Sequence, residues 1–178
     1  MEPKVNQRVM LTKKLLKNAL TEMLQTVSIY NISIRELCER SGINRSTFYK
    51  YYGSQFDLLA EMEQDMLREI EAALSEATIQ ETRVLCELLR YIEKNIDFVR
   101  LLLNCNVDPE FPEKLFSLPR IQGMMKELLP SDISAEEYQY SSSFLMFGAY
   151  QVVRMWINKE DRESADYLAE LLMNQVTR

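Results

Sequence analysis

Hydrophobic residues recur every three or four positions over most of this chain, as they do along the buried face of an α-helix. The pattern predicts helices over residues 7–28, 33–41, 45–52, 54–77, 81–102, 115–129, 135–158 and 163–176. Asp108 and Pro109 are placed to begin an element as N-cap and first helical residue, and Pro119 should kink the helix that contains it. No segment alternates as a strand does, so the pattern predicts an all-α fold.

The segment SIRELCERSGINRSTFYKYY, residues 33–52, predicts two short helices joined by a tight turn. Ser33 and Glu36 have the spacing of a capping box, in which each side chain accepts the backbone N–H of the other residue. Gly42 is suited to a left-handed C-cap of the first helix, and Asn44 is suited to N-cap the second. A helix–turn–helix that reads DNA has this arrangement.

The second of these helices separates expected anchors from polar side chains. Ile43, Phe48 and Tyr52 should pack against the preceding helices. The opposite arc carries Ser46, Thr47 and Lys50, and it is flanked by Arg45 and Tyr49. Arg45 and Lys50 could donate to guanine or to a phosphate, or could be solvated surface charges.

Charge is distributed unevenly along the chain. The first 52 residues carry nine lysines and arginines against four acidic residues, a net charge of +5, and the remainder carries twelve against twenty-three, a net charge of −11. This division suggests a polyanion-binding domain, residues 1–53, joined to a second helical domain, residues 54–178, although chance unevenness on solvated faces would look the same. Lys13, Lys14 and Lys17 are expected to form a solvated face of the first helix.

Several function classes are disfavoured by what the sequence lacks. It contains no histidine, which removes Ser–His and Cys–His nucleophile pairs and the histidine ligands of a catalytic zinc. No phosphate-binding glycine motif or paired-carboxylate set stands out, so no enzyme, metal site or cofactor is predicted. Cys38, Cys86 and Cys105 lack CxxC spacing and suit thiols in a reducing compartment. Since no apolar run reaches the length of a membrane span, a cytoplasmic protein is expected.

Residues 10–60, above all GINRSTFYKYY followed by SQFDLL, resemble the N-terminal domain of TetR/AcrR-type transcriptional regulators. The resemblance implies a three-helix DNA-binding domain, and a helical body that dimerises and releases the operator when it binds a ligand. The DNA contacts that it implies are Ser33, Arg45, Ser46, Thr47, Tyr49, Lys50, Tyr51 and Gln55. Many members carry Lys where this chain has Gln55, and His or Phe near Tyr51 and Tyr52, so one phosphate contact is in question.

Two segments of the body extend the resemblance. VDPEFPEKL and FGAYQVVRMWINKEDRESADYLAELL are similar to the branch of this family that includes regulators related to dihydroxyacetone kinase operons.

The last two helices are predicted to pair with their copies in a four-helix dimer interface, with closure of the monomer's own core as the alternative. The predicted interface residues are Phe144, Phe147, Gly148, Trp156, Leu168, Leu171 and Leu172. A mixture of aromatic residues and methionine with few charges suits either a pocket for an apolar or amphipathic small molecule or ordinary core. The predicted pocket residues are Tyr91, Phe98, Leu102, Cys105, Phe116, Met124 and Tyr150.

These features predict a dimeric, ligand-responsive repressor that binds an operator in double-stranded DNA. Ligand would shift the population towards a packing of the body in which the two recognition helices are wrongly spaced, with the fourth helix coupling body to head. The alternative is a co-activator of similar fold that engages a protein partner. Operator binding should weaken steeply with salt, whereas an apolar protein contact should not.

Overall fold

The computed structural model describes residues 4–76, 81–104 and 108–176, and these residues form ten α-helices and no strand. The helices are α1 Lys4–Leu24, α2 Ile34–Ser41, α3 Arg45–Phe48, α4 Gln55–Glu76, α5 Glu81–Lys94, α6 Ile96–Asn104, α7 Phe111–Phe116, α8 Pro119–Leu128, α9 Ala135–Ile157 and α10 Ala165–Val176. A short 3-10 turn, Ile29–Asn31, lies between α1 and α2. The predicted all-α class is confirmed.

The chain forms two compact units, Met1–Asp65 and Met66–Arg178, and the division falls within α4. The first turns of α4 belong to the first unit because their acidic side chains pair with α1, as Glu61 does with Lys13 at 2.7 Å. The compact units therefore divide at 65/66 rather than at the 53/54 boundary expected from the sequence. The assignment of separate functions to the two parts stays a prediction.

The first unit has its own apolar core. In it α1 packs against α2, and α2 packs against α3. The side chains with no exposed surface are Leu16, Leu20, Leu37, Phe48 and Leu58. Burying an aliphatic or aromatic side chain of this size contributes about 1.5–3 kcal/mol relative to leaving it in water. These five side chains from four helices therefore hold the short α3 in place.

The second unit is organised around α5, which contacts α6, α8 and α10, while α6 contacts α9. Arg90 on α5 pairs with Asp166 on α10 at 2.8 Å. The Trp156 indole N–H donates to the Glu163 carbonyl at 2.8 Å, which closes the loop between α9 and α10. Trp156 is only 2% exposed, so this bond satisfies a donor that would otherwise be buried without a partner.

Two predicted helices are each divided in the structure. The helix predicted from Glu81 to about residue 102 is broken at Asn95, whose side-chain amide donates to the Tyr91 carbonyl at 3.0 Å. The helix expected to be kinked at Pro119 is instead two helices, α7 and α8. Leu118 between them is extended, with φ −58° and ψ 132°, because a residue that precedes proline is kept out of the helical region.

The expected N-cap at Asp108 is wrong. Helix α7 begins at Phe111, with Glu110 in the capping position. The Asp108 carboxylate instead accepts the Glu110 N–H at 2.9 Å and pairs with Lys114. A short acidic side chain can close a local turn as readily as it caps a helix, and here the turn is favoured.

Candidate nucleic-acid interface and ligand cavity

Both ends of α2 and the start of α3 are defined by local caps. The Ser33 hydroxyl accepts the Glu36 N–H at 3.2 Å and the Glu36 carboxylate accepts the Ser33 N–H at 3.3 Å, so the predicted capping box is present. Gly42 ends α2 in the left-handed region, with φ 68°. The Asn44 side chain accepts the Ser46 N–H at 2.9 Å and begins α3. Each cap satisfies backbone groups that a helix end leaves unpaired, so the turn has one defined geometry.

The buried side of α3 is aromatic. Phe48 has no exposed surface, Tyr52 is 4% exposed, and their ring centroids lie 5.5 Å apart. Ile43, the third expected anchor, is half-buried. A helix of four residues is unstable alone, so these contacts rather than helix propensity fix the orientation of α3.

The other side of α3 and of the turn that follows it carries most of the predicted DNA contacts. The exposed members are Arg45, Ser46, Tyr49, Lys50 and Tyr51, and Thr47 is half-buried. Among the residues that the structure describes, the side chains of Arg45 and Lys50 and the Tyr49 hydroxyl have no hydrogen-bond or ion-pair partner. Unpaired donors on an anchored element are what contacts to phosphates and base edges require.

Ser33 and Gln55, two of the predicted contacts, already make hydrogen bonds within the first unit. The Ser33 hydroxyl donates to the Glu36 carboxylate at 2.7 Å. The Gln55 amide donates to the Ile29 carbonyl at 3.3 Å, which ties the start of α4 to the 3-10 turn. At that helix start the Asp57 carboxylate already accepts the Ser54 N–H at 3.1 Å. Ser33 and Gln55 would have to exchange internal bonds for contacts to a phosphate.

The lysines of α1 differ from the solvated face expected from the sequence. Lys13 and Lys17 both pair with Glu61, at 2.7 and 2.8 Å, and Lys17 also pairs with Asp65. Partial burial opposes ionisation of Glu61, but the hydrogen bonds from the two lysines outweigh it and hold its pKa below the ordinary value. Lys14 remains exposed. The charges of Lys13 and Lys17 are therefore neutralised by α4.

A cavity of about 80 Å³ lies within the second unit and is lined by α5, α8 and α9, with contributions from α6 and α7. Three predicted pocket residues line it: Phe116, Met124 and Tyr150. The Phe116 and Tyr150 rings meet edge to face with centroids 6.1 Å apart. Burial raises the pKa of the Tyr150 phenol against the opposing effect of the Arg154 guanidinium. Tyr150 is therefore a neutral hydroxyl in an otherwise apolar wall.

The other predicted pocket residues lie elsewhere. Tyr91 donates its hydroxyl to Glu69 at 2.9 Å, and neither Phe98 nor Leu102 lines the cavity. Cys105 lies outside the described residues. The lining residues that were not predicted from the sequence include Leu85, Leu88, Leu89 and Ile92 of α5. The spacing of these four residues predicted a buried helix face, but apolar periodicity does not distinguish a helix face that lines a cavity from one that packs in a filled core.

A larger apolar groove of about 400 Å³ lies beside the cavity, bordered by α5, α8, α9 and α10. The two spaces share wall residues Leu85, Met124, Met125, Leu145 and Ala149. A side chain that moves at this shared wall therefore changes both spaces.

The predicted interface residues divide into two groups. Phe144, Phe147 and Leu171 are 79%, 48% and 41% exposed, and the exposed Gly148 and the half-buried Leu172 line the groove. Trp156 and Leu168 are 2% and 4% exposed. These two were wrongly assigned to a surface between copies, because both are packed within the chain's own second unit.

In residues 4–76, 81–104 and 108–176 there is no group of three acidic, cysteine or histidine side chains that could hold a metal ion. Across the same residues, no helix is both long enough and apolar enough to cross a membrane.

Comparison with known proteins identifies relatives by sequence. DhaS, the HTH-type dhaKLM operon transcriptional activator of Lactococcus lactis subsp. lactis (strain IL1403), is 22% identical over 135 residues, which cover 76% of this chain and 70% of DhaS. The uncharacterized HTH-type transcriptional regulator YxbF of Bacillus subtilis (strain 168) is 18% identical over 170 residues, or 91% of this chain. The matched region spans only 44% of YxbF.

Solved structures share the fold. A TetR transcriptional regulator from Streptococcus agalactiae 2603V superposes with a TM-score of 0.77 at 21% identity, covering 97% of each chain. A structure of the dihydroxyacetone kinase operon activator DhaS superposes with a TM-score of 0.62 at 19% identity, covering 93% of this chain and 94% of DhaS.

Residues 81–178 match the family model TetR_C_8, described as "Transcriptional regulator C-terminal region". Proteins of this family are transcriptional regulators rather than enzymes, and they bind DNA operators, dimerise and bind small molecules. With the helix–turn–helix of α2 and α3 in its first unit, the chain belongs to the TetR family of transcriptional regulators.

Proposed function

We propose that this chain acts in the cytoplasm as a homodimeric repressor that releases its operator when a small molecule binds the second unit. One observation carries the DNA-binding part of this proposal. Helix α3 and the turn that follows it present Arg45, Tyr49 and Lys50, whose polar groups have no hydrogen-bond or ion-pair partner among the described residues, and the fully buried Phe48 fixes this segment. Charged and hydroxyl donors on such an element suit the major groove of duplex DNA.

The side chains of α3 and of the turn that follows it suit different parts of the duplex. Arg45 and Lys50 donate to guanine edges or phosphates, and the Thr47 methyl suits the methyl group of thymine. The hydroxyls of Tyr49 and Tyr51 donate to phosphates while their rings stay partly packed. Ser46 is less available, because its hydroxyl already donates to Asn44 at 3.0 Å.

A gel-shift experiment tests operator binding. The probe is the DNA that flanks this protein's own gene, and the proteins are wild type, Lys50→Ala and Lys126→Ala. Lys126 is an exposed lysine of the second unit, so its removal changes net charge equally without touching α3. We expect a sequence-specific, salt-sensitive shift that Lys50→Ala weakens, with its logarithmic salt slope reduced by about one if Lys50 contacts a phosphate. An equal loss of operator affinity in Lys50→Ala and Lys126→Ala would contradict the assignment of DNA binding to α3.

The dimer part of the proposal is supported by exposed apolar side chains on α9 and α10. Phe144, Phe147 and Leu171 are large apolar side chains that a single copy leaves exposed to water. A twofold dimer would also place two recognition helices about 34–36 Å apart, one turn of duplex. Sedimentation of wild type and Phe144→Asp at micromolar concentration tests this part. We expect the wild type to sediment as a dimer and the variant as a monomer. A monomeric wild type would refute the dimer part of the proposal.

The ligand part of the proposal is supported by the cavity and its shared wall with the groove. The cavity alone is smaller than ordinary ligand sites, which span about 300–1,000 Å³, so a ligand would extend past Ala149 into the groove. Among the described residues that line the cavity, none is charged and the hydroxyl is that of Tyr150. Burying an unpaired charge there would be costly, so the ligand is an uncharged, largely apolar molecule.

Paired probes test this ligand class. We expect 1-octanol to raise the melting temperature and weaken operator binding, and octanoate to do neither. Ala149→Phe should remove the response to octanol by filling the shared wall, whereas Ala72→Phe, at an exposed position on α4, should retain it. If octanoate were to act as strongly as octanol, the uncharged class would be wrong; unchanged operator affinity with a bound ligand would refute gating itself.

The gating mechanism is a shift between two packings of the second unit. Ligand favours the packing in which the recognition helices of the dimer are wrongly spaced, and α4 carries the change because its residues belong to both units.

A second candidate function is activation through a protein partner. It is favoured by the relative DhaS, which is named a transcriptional activator. Salt separates the two candidates, because contacts to phosphates release counterions and apolar protein contacts do not. If the complex that this protein forms in a cell extract persisted unchanged at raised salt, activation through a protein partner would be favoured.

A further inference from the structure

Four charged side chains join α1 to α4 in the first unit, and we call them the α1–α4 cluster: Lys13, Lys17, Glu61 and Asp65. The Glu61 carboxylate receives one lysine on each oxygen, at 2.7 and 2.8 Å. The four side chains are 22–34% exposed, so they are less screened by solvent than ordinary surface pairs. The cluster is electrically neutral and connects residues that are 48 positions apart in the sequence.

The cluster also reaches the segment that follows α3. The Lys13 ammonium lies 5.5 Å from the Tyr52 ring centroid and 5.9 Å from that of Tyr51, within the range of a cation–π interaction. Tyr52 in turn packs on Phe48, the buried anchor of α3. A continuous set of contacts therefore runs from Glu61 through Lys13 and Tyr52 to the recognition helix.

The charge states favour this arrangement at neutral pH. Burial opposes the charge of Lys17, but its hydrogen bonds to Asp65 and Glu61 outweigh that effect and raise its pKa. The pKa of Glu61 is lowered by its lysine partners despite burial. Burial, together with the neighbouring Glu61 carboxylate, raises the pKa of Tyr52, so its ring stays neutral.

The recognition element depends on such outside support. Helix α3 ends at Phe48, and beyond it the backbone continues for one further turn, in which the N–H groups of Tyr51 and Tyr52 both donate to the Phe48 carbonyl, at 2.9 and 3.0 Å. One turn of helix cannot hold its own orientation. The angle at which α3 presents its outer face is therefore set by what contacts Phe48 and Tyr52.

We propose that Lys13 and Glu61 are positioning residues for operator binding: they hold Tyr51 and Tyr52 in place and thereby set the orientation of α3. This inference rests on the proposed DNA-binding function of α3. It assigns no contact with DNA to either residue.

Glu61→Gln tests the proposal, because a simple charge effect and a positioning role predict opposite changes in operator affinity. If Glu61 acted only through its charge, Glu61→Gln would make the head more positive and would strengthen binding to phosphates. Positioning predicts the reverse, an operator affinity about tenfold weaker with an unchanged salt slope. Affinity that rises or stays the same would overturn the proposal.

Neighbouring lysines provide the matched control. Lys13→Met and Lys14→Met remove the same charge from adjacent positions of α1, but Lys14 is exposed and lies outside the cluster. We expect Lys13→Met to weaken operator binding about tenfold at constant salt slope, and Lys14→Met to change it by less than about twofold. A Lys13→Met slope reduced by about one would instead indicate a direct phosphate contact and refute the positioning role.

Hydrogen exchange provides a readout that does not need an operator. The amides of residues 49–52 should exchange faster in Glu61→Gln and Lys13→Met than in wild type or Lys14→Met, while the α2 amides stay protected. Unchanged exchange at 49–52 would overturn the proposal even if operator binding were lost. Faster exchange in a protein that binds no DNA would confirm the positioning contacts and refute the proposed function alone. Lys13→Arg, which keeps a cation beside Glu61 and the two tyrosine rings, should retain protection, and loss of protection in this variant as well would contradict the role assigned to the charge at position 13.

Discussion

Truncation of Phe48 should destabilise the first unit without removing any group that contacts DNA. Phe48 has no exposed surface, and its ring meets those of Tyr49 and Tyr52 at centroid distances of 5.6 and 5.5 Å. Replacing a fully buried phenylalanine with alanine costs about 3–5 kcal/mol, because it removes apolar burial and leaves a cavity. Most small domains have a total stability of about 5–15 kcal/mol, so Phe48→Ala should unfold the first unit at much lower denaturant concentration.

Tyr49→Ala is the matched comparison, since Tyr49 is adjacent and aromatic but 55% exposed. Its truncation loses one edge contact and should cost about 1 kcal/mol or less. Operator affinity should nevertheless fall, because the phenol is a predicted phosphate contact. Stability and DNA binding should therefore separate between two neighbouring residues.

The assay is urea denaturation followed by two probes. Far-ultraviolet circular dichroism reports all helices, whereas Trp156, the single tryptophan of the chain, reports the second unit. Phe48→Ala should shift the circular dichroism transition, and Tyr49→Ala should leave it nearly unchanged. A loss below about 1 kcal/mol in Phe48→Ala, or an equal loss in both variants, would refute the division between anchors and contacts.

Three further outcomes follow from individual contacts. Gly42→Ala should cost about 1–2 kcal/mol in thermal melts purely through backbone conformation, since φ is 68° and no atom lies within 4 Å of the added Cβ; a neutral effect would refute the strain argument. The pKa of Glu61 is lowered in the folded chain, so the stability contributed by its carboxylate is complete above the ordinary pKa of 4.5 and is lost as pH falls through the folded pKa. Between pH 7 and acid pH, the stability of Glu61→Gln should therefore depend less on pH than that of wild type. Trp156→Phe should lower stability by about 1 kcal/mol, measured by circular dichroism, because the Glu163 carbonyl loses its indole donor; equal stability would show that water replaces that bond.

Features that depend on neighbouring residues were predictable from the sequence. The capping box of Ser33 and Glu36, the left-handed Gly42 and the N-cap at Asn44 each arise within four residues, and each is present. Their geometry follows from local hydrogen bonding, which the sequence order determines directly. Asp108 shows the limit of such rules, because two local hydrogen-bonding solutions compete there and the sequence does not rank them.

Features that depend on distant residues were not predictable. Nothing in the sequence near Lys13 indicates that it pairs with Glu61, and an amphipathic pattern cannot tell which apolar helix face meets its own chain and which meets a second copy. Trp156 and Phe144 lie on the same helix α9 and were assigned together, yet one is 2% exposed and the other 79%. The cavity wall of α5 was missed for the same reason, since periodicity identifies a buried face but not the space beside it.

The separation of buried anchors from outward-facing residues in α3 and the turn that follows it affects how this regulator can change over evolutionary time. Its anchors and its outward residues are different side chains, so the outward set can be exchanged with little loss of stability. Substitutions at Arg45, Thr47 and Lys50 can therefore accumulate without first needing compensating mutations in the core. A duplicated copy of this gene could therefore acquire a new operator preference through a few substitutions that leave the fold intact. Phe48 and Tyr52 would keep the orientation of α3 unchanged while its outward residues are replaced.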